Sequence, residues 1–191
     1  MSLAEPPDTQ LMTAEALAAL PDDGIERDLI RGELRERPMT RRNPIQSVTE
    51  VSIAHELRCW SDARPAPRGY VVGGEAGFRL RGNPQTYVGI DVAYVSAEMV
   101  AAHVRKRKFF EGPPVLAVEI LSPSDQHEEI VEKVELYLEV GTVVWVVDPD
   151  FRTVAVHRPG EPPVSFNDRQ ELDGEPYLPG FRVPVARFFD T

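Results

Sequence analysis

The chain reads as an α/β protein with a mixed central sheet flanked by helices. Three observations carry that reading. Short runs rich in Val, Ile and Leu alternate with segments of helical spacing. The order strand, helix, strand across residues 115–147 has the form of a crossover, which joins parallel strands. Before it, residues 25–95 hold apolar runs separated by turn residues, as in antiparallel pairs.

Taken in order, residues 1–12 form a loose leading segment, and residues 13–191 form a single domain. Thr13 is the N-cap of a short helix ending near Pro21-Asp22-Asp23-Gly24. Two strands follow around a turn at Arg31-Gly32, from Ile25 through Arg37. Ser47-Val48-Thr49-Glu50 has the form of a capping box opening a helix that runs to about Trp60, with Val48, Val51, Ala54 and Leu57 on its apolar side. Strands are expected over Tyr70–Val72, Ala76–Leu80 and Tyr87–Val95, then a short helix or loop over 97–108. A buried strand at 115–121, a helix over 127–140 and a buried strand at 142–147 make the crossover. Two more strands are expected near 151–157 and 164–166, and the tail around Pro179-Gly180-Phe181 packs back on the core.

Composition narrows the function. Thirty-one acidic against 21 basic residues give a net charge of −10, unlike a protein that lives by nonspecific contact with phosphate backbones. An enzyme whose acidic site faces phosphates through divalent cations remains open. The single Cys59 excludes an intrachain disulfide and a cysteine-based zinc cluster. No apolar run reaches the roughly 18 residues of a membrane span, and MSLAEPPDTQ has no signal-peptide pattern, so the expected compartment is the cytoplasm.

The residue that raises the question of chemistry is Glu119, set inside the apolar run Val115–Leu121. A carboxylate there loses much of its hydration, at a cost of several kcal/mol unless a cation or hydrogen bonds compensate. On the following helix, at about 100° per residue, Ile130, Val134, Tyr137 and Leu138 share a stripe. Glu128, Glu132, Glu135 and Glu139 fall on the opposite, solvated face, and Lys133 falls beside the apolar stripe. Lys133 is therefore a candidate partner for Glu119. Asp91, within Gly89-Ile90-Asp91-Val92-Ala93, is a second carboxylate in an apolar strand. Two such acids and a lysine suit metal-assisted hydrolysis, in which oxygen ligands hold Mg²⁺ or Mn²⁺ and the lysine steadies developing charge. The plainer alternative pairs Lys133 with Glu129 along the helix and leaves Asp91 at a strand end.

These residues resemble a known family. Asp91-Val92-Ala93-Tyr94-Val95, Pro114 through Ser124, Lys133-x-x-x-Tyr137 and Trp145-Val146-Val147-Asp148-Pro149 are similar, in order and spacing, to the Uma2 family of restriction-endonuclease-like proteins in the PD-(D/E)xK nuclease superfamily. Asp28-Leu29-Ile30-Arg31-Gly32-Glu33-Leu34, Gly77-Phe78-Arg79-Leu80 and Pro179-Gly180-Phe181 extend the resemblance to residues 13–189. It implies a restriction-endonuclease-like fold, Mg²⁺- or Mn²⁺-dependent cleavage of DNA phosphodiester bonds, and a homodimer. It also implies that Asp91 and Glu119 bind the metal with the backbone carbonyl of Ile120, and that Lys133, on the helix rather than two residues after the acid, assists the attacking water. The chain departs from the family pattern at Ile90 (usually proline), at Gln46 (often histidine) and at Glu129 (often aspartate). The alternative reading is a catalytically inactive binding or assembly protein of the same fold.

Glu75 and Glu50 are weaker candidates for a further metal carboxylate, each read more simply as a solvated residue. His103 with Arg105-Lys106-Arg107-Lys108 is the only dense basic run, a phosphate-contacting edge or a solvated stretch. His127 and His157 have no partner at metal-ligand spacing.

Overall fold

The computed structural model describes residues 11–21, 23–38, 43–82, 84–103, 109–123 and 125–190. The leading segment 1–10 and the basic run Arg105–Lys108 lie outside the described residues.

The chain begins with α1 (Ala14–Ala18), whose N-cap Thr13 accepts a hydrogen bond from the Ala16 amide. Strands β1 (Ile25–Ile30) and β2 (Glu33–Pro38) form a hairpin. Its turn residues Arg31 and Gly32 both have positive φ, as the hand of a two-residue hairpin turn requires. Helix α2 (Pro44–Asp62) leads to the long strands β3 (Tyr70–Gly82) and β4 (Gln85–Val95), then to α3 (Ala97–Ala102) and β5 (Phe110–Glu111). The crossover comprises β6 (Leu116–Ile120), α4 (His127–Glu139) and β7 (Val143–Asp148), with β6 and β7 parallel as expected. Strands β8 (Thr153–His157) and β9 (Val164–Asn167) extend the sheet. A separate ribbon of β10 (Glu171–Asp173) and β11 (Arg182–Pro184) precedes a 3₁₀ turn over Val185–Phe188.

The main sheet runs β2-β1-β4-β6-β7-β8-β9, with β3 also on β4 and β5 on β3. It is mixed, and the α/β fold class stands. One detail of pairing positions everything that follows. Along one edge, β4 pairs with β1 through Leu29 and Tyr87, then with β6 from Val92–Val118 onward. Between those points the sheet forks, and the backbone around Gly89 takes its partners from side chains.

The helix entries differ in one place from expectation. α2 starts four residues early, because Asn43 and Gln46 complete a reciprocal capping box and Pro44 suits the first helical position. Its buried residues are Thr49, Ile53, Leu57 and Ser61, and Val51 is left 69% exposed. The sequence alone offers apolar residues around most of this helix, and contact with the tail selects the face. The two strands expected at 70–72 and 76–80 are one strand, bulged between Gly73 and Ala76.

Two cores lie on opposite faces of the sheet. On one, Ile53 and Leu57 of α2 meet Val118, Trp145, Phe181 and Phe188, so the tail does pack back. On the other, Val134, Leu136 and Tyr137 of α4 meet Ala93, Ala117 and Val144. Fully burying one such side chain contributes roughly 1.5–3 kcal/mol. The glutamates of α4 lie at the surface as expected, and there Arg37, Arg35 and Arg31 of the hairpin reach Glu129 (3.9 Å), Glu132 (4.0 Å) and Glu139 (2.8 Å). Each pair is half-exposed and worth at most about 1 kcal/mol, but together they draw the hairpin onto the helix.

Candidate active site at the fork in the sheet

The fork gathers charged side chains on the α4 face. Glu119 alternates with Ala117 on β6 and Asp91 with Ala93 on β4, so both acids point where α4 packs. The β4–β6 register, extended by one step from Val92–Val118, sets Asp91 opposite Glu119. Lys133 enters from α4 with its Nζ 3.3 and 3.4 Å from the two Glu119 oxygens and 3.3 Å from the Gly89 carbonyl. Tyr137, one turn further along α4, donates its hydroxyl to Glu119 Oε1 at 2.6 Å. Asp91 Oδ2 accepts from the Ile120 amide at 2.7 Å. Asp91, Glu119 and Lys133 are 8%, 5% and 7% exposed. The three residues singled out from sequence are therefore brought together and buried. Lys133 does not take Glu129 as its partner, since Glu129 reaches Arg37 instead.

The bulge in β3 supplies a third carboxylate. Gly74 and Glu75 both have positive φ, a conformation that bends the strand and is costly for the glutamate. The bend carries the Glu75 carboxylate over Gly89: a Cβ on Gly89 would lie 2.5 Å from Glu75 Oε2, so any larger residue there would displace the carboxylate. Glu75, expected as a solvated loop residue, is exposed as a residue, yet its carboxyl lies over Gly89 and beside Asp91. Glu50 has a different position. Its Oε1 accepts from the Gly74 amide at 2.8 Å, tying α2 to the bulge. Gln46 donates to the Ile120 carbonyl over 3.5 Å.

The electrostatics follow from crowding. Burial pushes the Glu119 carboxyl up to about 7, against the pull of Lys133 and the Tyr137 hydroxyl, with Asp91 adding to the rise. Burial and the neighbouring Asp91 push Glu75 up to about 8, again against Lys133. Burial alone would lower Lys133, but Glu119 and Asp28 outweigh it and hold the ammonium above its ordinary value. Burial and Glu119 likewise raise Tyr137, keeping it a hydroxyl donor. Among the described residues the site sets Asp28, Glu75, Asp91 and Glu119 against Lys133 and Arg37, an excess of acid.

That excess fits a hard divalent cation. Among the described residues no three of His, Cys, Asp or Glu stand close enough to ligate one ion together. Mg²⁺ does not demand such a cage, because it commonly takes one or two carboxylates and completes its shell with water and substrate phosphates. Asp91, Glu119 and the Ile120 carbonyl offer oxygens of the right kind.

Asp28 escaped the sequence reading. It lies 7% exposed on β1, with Oδ2 3.8 Å from Lys133 Nζ and 3.0 Å from Arg37 Nη2. Its only sequence signal was an acid directly before the apolar pair Leu29-Ile30, and nothing local tied that hairpin to α4.

The profile of the Uma2 family, described as putative restriction endonuclease, matches residues 14–186. The chain belongs to the Uma2 family. Its fold agrees with a crystal structure of a putative nuclease belonging to DUF820 from Anabaena variabilis, with a TM-score of 0.78 over 93% of this chain and 97% of that one. The two are 17% identical, so the likeness establishes the restriction-endonuclease-like fold and no residue's role. No functionally curated protein matches the chain. As a Uma2 protein the chain falls among nuclease-type proteins, and no helix of its described residues is long and apolar enough to cross a membrane.

Proposed function

We propose that this Uma2 protein is a divalent-metal-dependent endonuclease that hydrolyses DNA phosphodiester bonds in the cytoplasm. The observation that carries the reading is the burial of Asp91 and Glu119 side by side at the fork, with Lys133 against Glu119 and the Glu75 carboxyl beside Asp91. Buried carboxylates pushed toward neutrality are a standing demand for positive charge, and catalytic sites are where such perturbation concentrates.

In this reading Asp91, Glu119 and the Ile120 carbonyl hold Mg²⁺ or Mn²⁺, with Glu75 as a further acid beside them. When bound, the ion supplies Lewis-acid charge at the scissile phosphate and lowers the pKa of water. The residues of the chain do the positioning. The Ile120 amide fixes Asp91, and the Tyr137 hydroxyl fixes Glu119. Lys133, charged and a hydrogen-bond length from Glu119, orients the attacking water and stabilises negative charge on the phosphate oxygens. Glu50 holds the bulge that aims Glu75, which makes it a supporting residue.

The test is a cleavage assay with Mg²⁺ and Mn²⁺ on single- and double-stranded DNA, comparing wild type with Glu119→Ala. Metal-dependent cleavage that disappears in Glu119→Ala supports the reading, and equal cleavage by both proteins overturns it. A second reading, a catalytically inactive binding or assembly protein of the same fold, draws on the net acidity and on Gln46, whose amide already engages the Ile120 carbonyl. It predicts no cleavage under either ion. A homodimer belongs to the proposal as well, and sedimentation at monomer mass across micromolar concentrations would remove it.

A further inference from the structure

We propose that Asp28 is a positioning residue that holds the Lys133 ammonium at the fork. The inference rests on the nuclease reading only for what Lys133 does there, since the geometry concerns Lys133 itself. Between Leu29–Tyr87 and Val92–Val118 the edge of β4 lacks a strand partner, and the Gly89 peptide lies in that gap. Asp28 Oδ1 accepts from the Gly89 amide at 3.0 Å, and Lys133 donates to the Gly89 carbonyl at 3.3 Å. The two side chains thus clamp one residue of β4 from its two polar ends, and face each other across 3.8 Å. Arg37 Nη2 lies 3.0 Å from Asp28 Oδ2 and fixes the carboxylate from the solvent side.

The arrangement balances the lysine between two acids. Glu119 alone would draw Nζ fully to itself, whereas Asp28 supplies a second attraction from the hairpin. A lysine on a four-carbon stem keeps little geometry of its own. A short buried aspartate, anchored by a backbone amide and an arginine, is rigid enough to give it one. The contacts that fix Asp28 are to Gly89, Arg37 and Lys133, and its charge also bears on Glu119 from beyond contact, so its positioning effect is read at Lys133 itself.

The lysine-selective ¹H–¹⁵N spectrum reads this directly, with the Lys133 ammonium signal assigned by its loss in Lys133→Met. Asp28→Asn keeps the oxygen facing Gly89 and removes the charge facing Lys133. The signal should shift or vanish through exchange in Asp28→Asn and stay in place in Asp23→Asn, a control on an exposed pair with Arg27. An unmoved signal in folded Asp28→Asn overturns the proposal. If Asp28→Asn fails to fold, Asp28→Glu decides by the same reading, since it keeps the charge but displaces it. On DNA, supporting residues of this kind typically cost about 10- to 100-fold, so kcat should fall by that factor with KM and Mn²⁺ affinity held. A wild type that cuts nothing ends the nuclease reading and leaves the spectroscopic test standing.

Discussion

The two faces of the sheet do opposite things. On the α2 face, Trp145, Phe181, Phe188, Leu57 and Val118 pack with their polar groups elsewhere, and burial there is straightforward stabilisation. On the α4 face, in the same sheet and one residue out of phase, Asp91 and Glu119 are buried beside Lys133 and Asp28. Ion pairs removed from water recover little net free energy, because desolvation offsets the attraction. One face is an apolar core, while the other sets its charged cluster into an apolar core of its own that includes Phe78, Ile90 and Tyr137. A protein under selection for stability alone would fill the fork with apolar residues, and that it does not is what supports the proposal of a site there.

The largest expected effect separates the faces by activity. Glu119→Ala and Lys133→Ala should each lower metal-dependent DNA cleavage by about 100- to 1000-fold, and circular dichroism should show the fold retained. If either variant cuts normally, the α4 face loses its special status. The reverse experiment uses Trp145→Ala, which should cost about 3–5 kcal/mol in denaturant unfolding. Its cleavage per folded molecule should match wild type, and a specific loss of activity would mean the faces are coupled.

Acidity sharpens the contrast further. Glu75 and Glu119 ionise near 8 and 7 in the folded protein, against an ordinary value of 4.5. Between roughly pH 4.5 and 8 the native state therefore keeps protons that the unfolded chain has released. Stability without divalent ions should fall as pH rises through that window. Glu75→Gln should flatten the fall, raising the melting temperature by a few degrees at pH 8 and leaving pH 5 nearly unchanged. A parallel shift at both pH values would show that Glu75 is solvated after all. The smallest effect belongs to the outer layer of ion pairs. Arg35→Ala, removing contacts to Glu33 and Glu132 at the half-exposed surface, should change unfolding free energy by less than about 1 kcal/mol.

Much of this was legible before any coordinates. Alternating apolar runs marked the hairpin, β4, β6 and β7, because a strand declares its buried face within five or six residues. Lys133 could be placed against the core because helical periodicity puts it beside Tyr137 and away from Glu128, Glu132, Glu135 and Glu139. The start of α2 was harder. Two overlapping capping signals compete within a few residues, and a locked proline decides between them.

By itself, then, the amino-acid order determined the α/β class, the crossover and the burial of Asp91, Glu119 and Lys133, all consequences of local period and composition. Only the tertiary structure decided that Asp28 belongs with them and that the carboxyl of Glu75 turns inward. Both depend on non-local pairing: where β4 exchanges β1 for β6, and where a two-residue bulge in β3 bends toward Gly89. A strand's register with a distant neighbour is set by the whole sheet, and no window of sequence contains it.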